Sequence, residues 1–438
     1  MTGYQQAVKY LESFVNYERI NRYPYKKSIS LKRIKNFLEL IGNPQQNLKI
    51  IHVAGSKGKG STCAFTAYIL RQAGFSVGLY TSPHLSDFRE RIRILRPAKS
   101  NSFPPFEGAI SKKSLLRLVN FLKPNIEKSG GLSFFEVYTA LAFLYFKEQK
   151  ADFVVLETGM GGRLDATNAA DSLVEAITPI SYEHTAYLGK TLAHIAKEKA
   201  GIIKHKAIVI SSTQEKEAGQ IIRRAAERQQ AKLFTIGKEI KYSIKGGNFS
   251  VKGLNNNYTN LRISLLGRHQ LANAALSVAI VEALGAYGYK VSVDCIRKGL
   301  YNTIWPGRIE VLCRKPYVVV DGAQNAASAL VLKSAIKGIF KYRKLILVFG
   351  ASDDKDIKSM FGQLIGLADK VILTSADNPR AACPADLKRR IPDKRKEVFI
   401  TAGVAEAKEL ALRIAGKEDL ILVTGSLFVV GEFRDVYR

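Results

Sequence analysis

Short apolar runs alternate with helical patterns along most of the chain. The apolar runs predict strands near residues 49–54, 76–80, 152–157, 174–178 and 207–211. The segments with apolar positions three and four residues apart predict helices near residues 60–72, 132–146, 191–200 and 215–229. This alternation predicts an α/β fold, with a mostly parallel sheet flanked by helices.

Residues 239–266 depart from that pattern, because polar and apolar residues alternate there. They predict a small antiparallel patch. A second α/β cycle follows Trp305-Pro306-Gly307-Arg308, with strands predicted near 317–321, 344–349, 370–374, 397–400 and 419–424. The Pro-Gly pair is typical of a turn or hinge at a boundary between two domains. We therefore expect a first domain over residues 1–305 and a smaller, Rossmann-like α/β domain over residues 306–438.

The apolar content argues against a membrane protein. We find no apolar run near the ~20 residues that span a bilayer, and the richest segments, 140–146 and 420–430, are short or interrupted. The amino-terminal apolar residues recur at helical spacing and do not resemble a signal peptide: Val8, Leu11, Phe14 and Val15. The four cysteines lie far apart, which argues against a zinc site or a disulfide framework. These features predict a cytoplasmic protein that does not bind membranes.

The charge is strongly positive, with 67 Lys and Arg against 38 Asp and Glu, a formal net charge of +29. Such an excess attracts polyanions and raises the hypothesis of a nucleic-acid-binding protein. That class needs basic and aromatic residues along a groove, or helicase motifs, and neither is evident. We therefore expect no nucleic-acid partner and favour a general basic bias, with steering of anionic substrates as the alternative.

The sharpest motif follows the first predicted strand and opens a helix. It consists of Gly55, Ser56, Lys57, Gly58, Lys59, Gly60 and Ser61. Glycine-rich backbone at a helix N-terminus binds phosphate, and a lysine there reaches the β- and γ-phosphates, so the loop predicts ATP binding with Lys59 as a catalytic cation. It departs from the usual P-loop pattern, because position 53 is Val and position 60 is Gly.

Further motifs follow in order: Tyr80–Leu85, Phe134–Glu136, Glu157–Asn168, Glu183–Thr185, Glu198–Ile202, Gly267–Gln270, Pro306–Arg308, Asp321–Ala323 and Asn378–Arg380. Together with the phosphate loop, this series resembles the Mur ligase superfamily, and within it the folylpolyglutamate and dihydrofolate synthases. The resemblance implies an ATP-dependent ligase that joins L-glutamate to the carboxylate of dihydropteroate or a reduced folate. The implied partners are small molecules only, and the implied state is a monomer.

Glu157 ends a buried-type strand, where a carboxylate faces the crevice in which α/β sheets bind ligands and can hold Mg²⁺. The resemblance makes Glu157, Ser82 and His184 ligands for two Mg²⁺ ions, with His184 also catalytic. It makes Lys199 a catalytic residue that is carbamylated. It implies ATP contacts at Asn273, Arg308 and Asp321. It implies an acceptor pocket formed by His84, Phe135, Arg163, Asp165 and Ala166.

Gln324 departs from the resemblance, because the related sequences usually carry His at that point, and Gln cannot become cationic. Three alternatives stay open at this point: a synthase that only extends polyglutamate, another Mur-type amino-acid ligase, and a non-catalytic ATP-binding relative. Only 54 residues precede Gly55, which disfavours the second, whose members usually carry a nucleotide-sugar domain there.

Overall fold

The computed structural model describes residues 1–18, 20, 28–97, 104–245, 248–393 and 395–437. Its largest sheet has seven strands in the order β3-β2-β4-β1-β5-β6-β7. The strands are β1 Ile50–Ala54, β2 Val77–Tyr80, β3 Ile92–Leu95, β4 Phe153–Glu157, β5 Val174–Ile177, β6 Ile208–Ser211 and β7 Lys232–Thr235. All neighbours are parallel except β2 and β3. The predicted parallel sheet is therefore confirmed, with one antiparallel edge strand.

Helices cover both faces of this sheet. They are α1 Tyr4–Glu12, α2 Leu31–Leu40, α3 Lys59–Gln72, α4 Lys112–Ser129, α5 Phe134–Glu148, α6 Thr185–Leu188, α7 Leu192–Ala200, α8 Lys216–Arg228, α9 His269–Ala283 and α10 Val293–Tyr301. The apolar side chains of α3, α9 and α10 form one buried cluster, and those of α1, α2, α4 and α5 form another. Because both faces are covered, the central strands β1 and β4 are buried throughout, which explains their continuous apolar runs.

A separate antiparallel sheet of three strands confirms the patch predicted in 239–266. Its strands are β8 Lys241–Lys245, β9 Asn248–Lys252 and β10 Asn257–Leu261. Residues 246 and 247 of that patch lie outside the described residues. The sheet packs through Phe249, Val251 and Tyr258 into the same cluster as α9.

The third sheet has six strands in the order β11-β12-β16-β13-β14-β15. They are β11 Glu310–Arg314, β12 Tyr317–Val320, β13 Leu345–Phe349, β14 Lys370–Leu373, β15 Glu397–Ile400 and β16 Leu420–Thr424. The helices that cover it are α11 Ala326–Ile339, α12 Ile357–Leu364, α13 Pro384–Arg389, α14 Val404–Ile414 and α15 Leu427–Tyr437. The five strands predicted from sequence are all present.

The edge strand β11 is antiparallel to β12 and was missed by the sequence analysis. Its half-buried positions give a weak apolar signal, and its register shifts between Val311 and Cys313. The strands of the first large sheet lie within 50–235 and those of the six-stranded sheet within 310–424. The boundary between residues 305 and 306 stays a prediction.

Two expectations need correction. The first helix ends at Glu12, so Phe14 and Val15 lie beyond it despite their spacing. Among the described residues, one helical segment, His269–Tyr287, has the length and apolar composition of a membrane span, and it is not one of the two segments named above as the richest in apolar residues. It is 72% buried and contains the core helix α9, so packing inside the protein accounts for its apolar character.

Candidate nucleotide and acceptor site

The phosphate loop joins β1 to α3 at the carboxyl edge of the seven-stranded sheet. Gly58 caps the helix with φ +87°, and a Cβ there would lie 2.3 Å from Asn273 Oδ1, so this position needs glycine. The backbone N–H groups of Ser56 and Lys57 both donate to Pro179 O. The first turn of α3, beginning at Lys59, therefore supplies the N–H groups that remain for phosphate.

A buried ion cluster lies directly behind the loop. Lys199 Nζ, in the last turn of α7, donates to Gly55 O at 2.6 Å and to Glu183 Oε1 at 2.9 Å. Lys57 Nζ lies 3.6 Å from Glu183 Oε2, and Lys59 Nζ donates to Gly55 O at 3.1 Å. Burial lowers the pKa of Lys199 to about 8, although Glu183 opposes the shift. Burial alone would raise the pKa of Glu183, but the charges of Lys199, Lys59 and Lys57 hold it at about 2.

Glu157 and Ser82 meet at the ends of the neighbouring strands β4 and β2. The Ser82 N–H donates to Glu157 Oε2 at 3.2 Å. Burial raises the pKa of Glu157, while the positive charge of Lys59 acts in the opposite direction. His184 follows Glu183 with a left-handed backbone, φ +49°. Desolvation lowers its pKa, which favours the neutral imidazole.

These groups suit a hard divalent cation only in combination with other oxygens. The described residues contain no cluster of three or more His, Cys, Asp and Glu that would bind a metal by themselves. A buried carboxylate beside a serine, facing a phosphate loop, is the donor set that Mg²⁺ accepts when phosphates and waters complete the shell. Glu157 and Ser82 therefore fit the predicted ion.

The predicted ATP contacts come from both α/β units. Asn273, in α9, lies against Gly58, and its amide donates to Gln270 Oε1 at 2.9 Å. Burial raises the pKa of Glu157, and the positive charge of Arg308 lies close enough to oppose that rise. Asp321, after β12, accepts from Ile309 N at 3.0 Å and Ala323 N at 2.9 Å. Asp321 thus fixes the backbone around Arg308.

The loop that carries Ser82 and His84 enters the cleft between the two units. His84 Nδ1 accepts from Arg91 Nε at 2.9 Å, and Arg91 forms a double hydrogen bond with Glu18. The cleft brings His84 and Arg308 together with the following residues: Thr81, Pro83, Leu85, Glu90, Phe106, Trp305, Pro306 and Leu427.

The remaining predicted acceptor residues surround the segment after β4. Phe135 opens α5, and a Cβ on Gly159 would lie 2.6 Å from its Cζ, so ring and loop are in direct contact. Asp165 caps a 3-10 turn, Ala166–Ala169, and Ala166 is buried behind it. Arg163 instead pairs with Glu198 at 2.7 Å on the surface. The structure thus brings Phe135, Asp165 and Ala166 together and turns Arg163 toward α7.

Two residues at the site escaped the sequence analysis. Trp305, the single tryptophan, packs over the phosphate loop, where a Cβ on Gly60 would lie 3.0 Å from its Cζ2. Burial lowers the pKa of Lys57 and of His184, and the charge of Lys355, from the six-stranded unit, adds to both shifts. Two features of the sequence could have indicated these residues. The tryptophan directly precedes Pro306-Gly307, and Lys355 lies in the charged run 353–356.

Comparison with known proteins agrees with this geometry. The Mur ligase middle domain profile matches residues 116–281, and the Mur ligase glutamate ligase domain profile matches residues 307–427. The dihydrofolate synthase/folylpolyglutamate synthase of Bacillus subtilis is 36% identical over 420 residues, which cover 92% of this chain and 94% of that protein.

Two solved structures of folylpolyglutamate synthase and FolC also match nearly the full length of this chain. Mycobacterium tuberculosis folylpolyglutamate synthase complexed with ADP has a TM-score of 0.87 and 29% identity, over 99% of this chain and 98% of that one. Escherichia coli FolC in complex with DHPP and ADP has a TM-score of 0.86 and 29% identity, over 99% and 97%.

The fold and the phosphate loop therefore define a Mur-type ligase, a class that forms carbon–nitrogen bonds. Within that class, the chain belongs to the dihydrofolate synthase/folylpolyglutamate synthase family.

Proposed function

We propose that this protein is a bifunctional dihydrofolate synthase/folylpolyglutamate synthase. It joins L-glutamate to the carboxylate of dihydropteroate and of reduced folates, and releases ADP and phosphate. The observation that carries the proposal is the meeting of three features at one sheet edge: the phosphate loop with Lys59, the Lys199–Glu183 pair, and the Glu157–Ser82 pair.

The chemistry requires an activated carboxylate, because a free carboxylate is a poor electrophile. ATP transfers its γ-phosphoryl group to the acceptor carboxylate and leaves as ADP. The neutral amine of L-glutamate then attacks the carbonyl carbon of the acyl phosphate and forms a tetrahedral adduct. Collapse of the adduct breaks the carbon–oxygen bond to phosphate and forms the amide, and the departing phosphate takes up the proton that the amine nitrogen loses. Lys59 and Arg308 offset the negative charge that builds up between the two anions. Trp305 packs over Gly60 of the phosphate loop and lines the cleft, where it would shield the acyl phosphate from water.

Mg²⁺ would be held by Glu157 and Ser82, with His184 at a second ion, and would supply further charge neutralisation on the phosphates. Lys199 is buried with its pKa lowered to about 8 by desolvation, so a larger share of its amine is neutral than in water. A neutral amine is the form that adds CO₂, so this environment supports carbamylation. In that form, Lys199 would present oxygen toward the ion site.

The acceptor rests on the segment after β4. The Phe135 face suits a flat heterocycle, Asp165 and Ala166 lie beside it, and His84 lies at the cleft. We propose a cytoplasmic monomer with small-molecule substrates only, without nucleic-acid or membrane partners.

An ATP hydrolysis assay with L-glutamate tests the proposal. Phosphate release with both dihydropteroate and tetrahydrofolate is expected. Release with tetrahydrofolate alone would make the protein a polyglutamate synthase only. Release with neither would refute the ligase function and favour a non-catalytic relative. Lys59→Ala is the matched negative control, since it removes the loop cation without touching the acceptor pocket.

A further inference from the structure

A histidine stands in the centre of the main sheet, where the sequence pattern predicts an apolar residue. His52 is the third residue of β1, between Leu156 on β4 and Glu175 on β5. Its side chain is 1% exposed. Burying an imidazole in a sheet costs free energy unless its polar atoms are used. One of them is used: His52 Nε2 lies 2.8 Å from Thr167 Oγ1.

The direction of this hydrogen bond follows from the next one. Thr167 Oγ1 donates its single proton to Asp165 Oδ1 at 2.6 Å. Thr167 Oγ1 must therefore accept from His52, so His52 carries its proton on Nε2. The other ring nitrogen, Nδ1, finds no partner in the part of the chain that the structure describes. Burial lowers the pKa of His52 to about 3, and the charge of Lys204 adds to the effect, so the ring stays neutral.

Asp165 extends this series of hydrogen bonds to the backbone of residues 159–167, which border the predicted acceptor pocket. Its Oδ1 also accepts from Thr167 N at 3.0 Å, and its Oδ2 accepts from Met160 N at 2.9 Å. Asp165 thus holds both ends of the turn 159–167. At the start of that turn, Gly159 touches the Phe135 ring. A chain of hydrogen bonds therefore runs from the sheet to the wall of the acceptor pocket.

Thr167 connects the two parts of this series, because its single hydroxyl hydrogen-bonds both His52 on strand β1 and the carboxylate of Asp165. Without His52, Thr167 Oγ1 would lose its buried donor. Without the hydroxyl, Asp165 Oδ1 would keep only the Thr167 N–H, and its side chain could rotate away from Met160. Neither residue touches the phosphate loop in the bonds described.

We propose that His52 is a positioning residue for the acceptor. Through Thr167 it fixes the Asp165 carboxylate and the turn 159–167 against Phe135, and it thereby sets the affinity for the heterocyclic acceptor but not for ATP. This inference rests on the proposed function, since it assumes that the pocket takes a pteridine acceptor.

The test compares variants of the full chain in the glutamate ligation assay. His52→Leu removes the donor at similar volume, and Thr167→Val removes the hydroxyl at the same shape. Each is expected to raise the KM for dihydropteroate about tenfold, the factor that corresponds to about 1.4 kcal/mol and to one hydrogen bond. The KM for ATP and kcat are expected to stay within about twofold, below the effect of one hydrogen bond.

Rescue variants and a matched control separate positioning from general damage. His52→Gln can place an amide N–H near the Nε2 position, and Thr167→Ser keeps the hydroxyl, so both are expected to bind dihydropteroate more tightly than their apolar counterparts. Thr401→Val removes a buried hydroxyl that donates to Leu373 O in the other α/β unit, and it should leave the KM for dihydropteroate unchanged. Calorimetric titration with dihydropteroate measures the same ordering without turnover.

The activity of the wild type distinguishes failure of the positioning role of His52 from failure of the proposed ligase function. An active wild type with an unchanged KM for dihydropteroate in Thr167→Val overturns the positioning role alone. A parallel rise in the KM values for ATP and dihydropteroate overturns it too, since that result indicates general loss of structure. A wild type inactive with both acceptors overturns the proposed function. Thr167→Val leaves the strand intact, so the result does not depend on whether His52→Leu folds.

Discussion

Gly431 is the point at which helix α15 touches the loop that carries Ser82 and His84. A Cβ at this position would lie 2.2 Å from Leu85 O and 2.8 Å from Leu85 C, whereas ordinary contacts begin near 3.4 Å. Gly431→Ala therefore forces the loop and the helix apart by about 1 Å, and both contacted atoms are backbone, which cannot rotate away.

The expected result is a loss of activity without a matching loss of stability. A displacement of about 1 Å at catalytic groups costs up to about 100-fold in rate, so kcat/KM should fall about 10- to 100-fold. Alanine favours a helix interior over glycine by about 1 kcal/mol, which offsets part of the about 1–3 kcal/mol cost of overpacking. The midpoint of thermal unfolding should therefore move by only a few degrees.

The assay is ADP release with dihydropteroate and L-glutamate, together with a thermal unfolding curve. Gly338→Ala in α11 is the matched control, because nothing lies within 4 Å of its added Cβ. That control should keep wild-type kcat/KM. If Gly431→Ala keeps it as well, the packing of α15 on the loop does not position Ser82 and His84, and the reasoning is refuted.

Three further substitutions and a salt titration probe the site and the buried charges. Lys199→Met should lower kcat by about 100-fold or more, the scale of losing one preorganised transition-state contact, and ¹³C NMR with labelled bicarbonate should detect a carbamate signal in the wild type only; an unmodified amine at saturating bicarbonate would refute carbamylation. Gln324→His should leave ATP kinetics within about threefold, because a neutral Gln still donates a hydrogen bond; a large change in the KM for ATP would show that the departure matters. Burial raises the pKa of Glu175 to about 8, so the folded state holds a proton that the unfolded state releases above its own pKa. Stability should then fall by up to about 1.4 kcal/mol per pH unit between roughly pH 4.5 and 8, and urea unfolding of Glu175→Gln should show a smaller fall over that window; equal slopes would contradict the raised pKa. If the excess of positive charge steers the anionic substrates, kcat/KM should drop steeply as salt rises from 0.05 to 0.5 M, and a flat profile would leave the general basic bias as the explanation.

The order of elements was open to prediction because each depends on local pattern. Apolar runs such as those of β1 and β4 are buried on both faces, and this burial makes them visible in sequence. The half-buried edge strand β11 lacked that signal and was missed. Length and hydropathy could not distinguish the core helix α9 from a membrane span, since burial by the protein and by lipid demand the same apolar surface.

The sequence by itself determined the α/β alternation, the phosphate loop and the resemblance that named the candidate residues, since all three are properties of neighbouring residues. Only the tertiary structure decided which distant groups meet. Lys199 meets Gly55 across 144 positions of sequence, and His52 meets Thr167 across 115. It also turned Arg163 toward Glu198 and brought Lys355 toward His184. Such contacts arise from the order of strands in the sheets and the packing of helices across them, and no local pattern of apolar and polar residues encodes these distances.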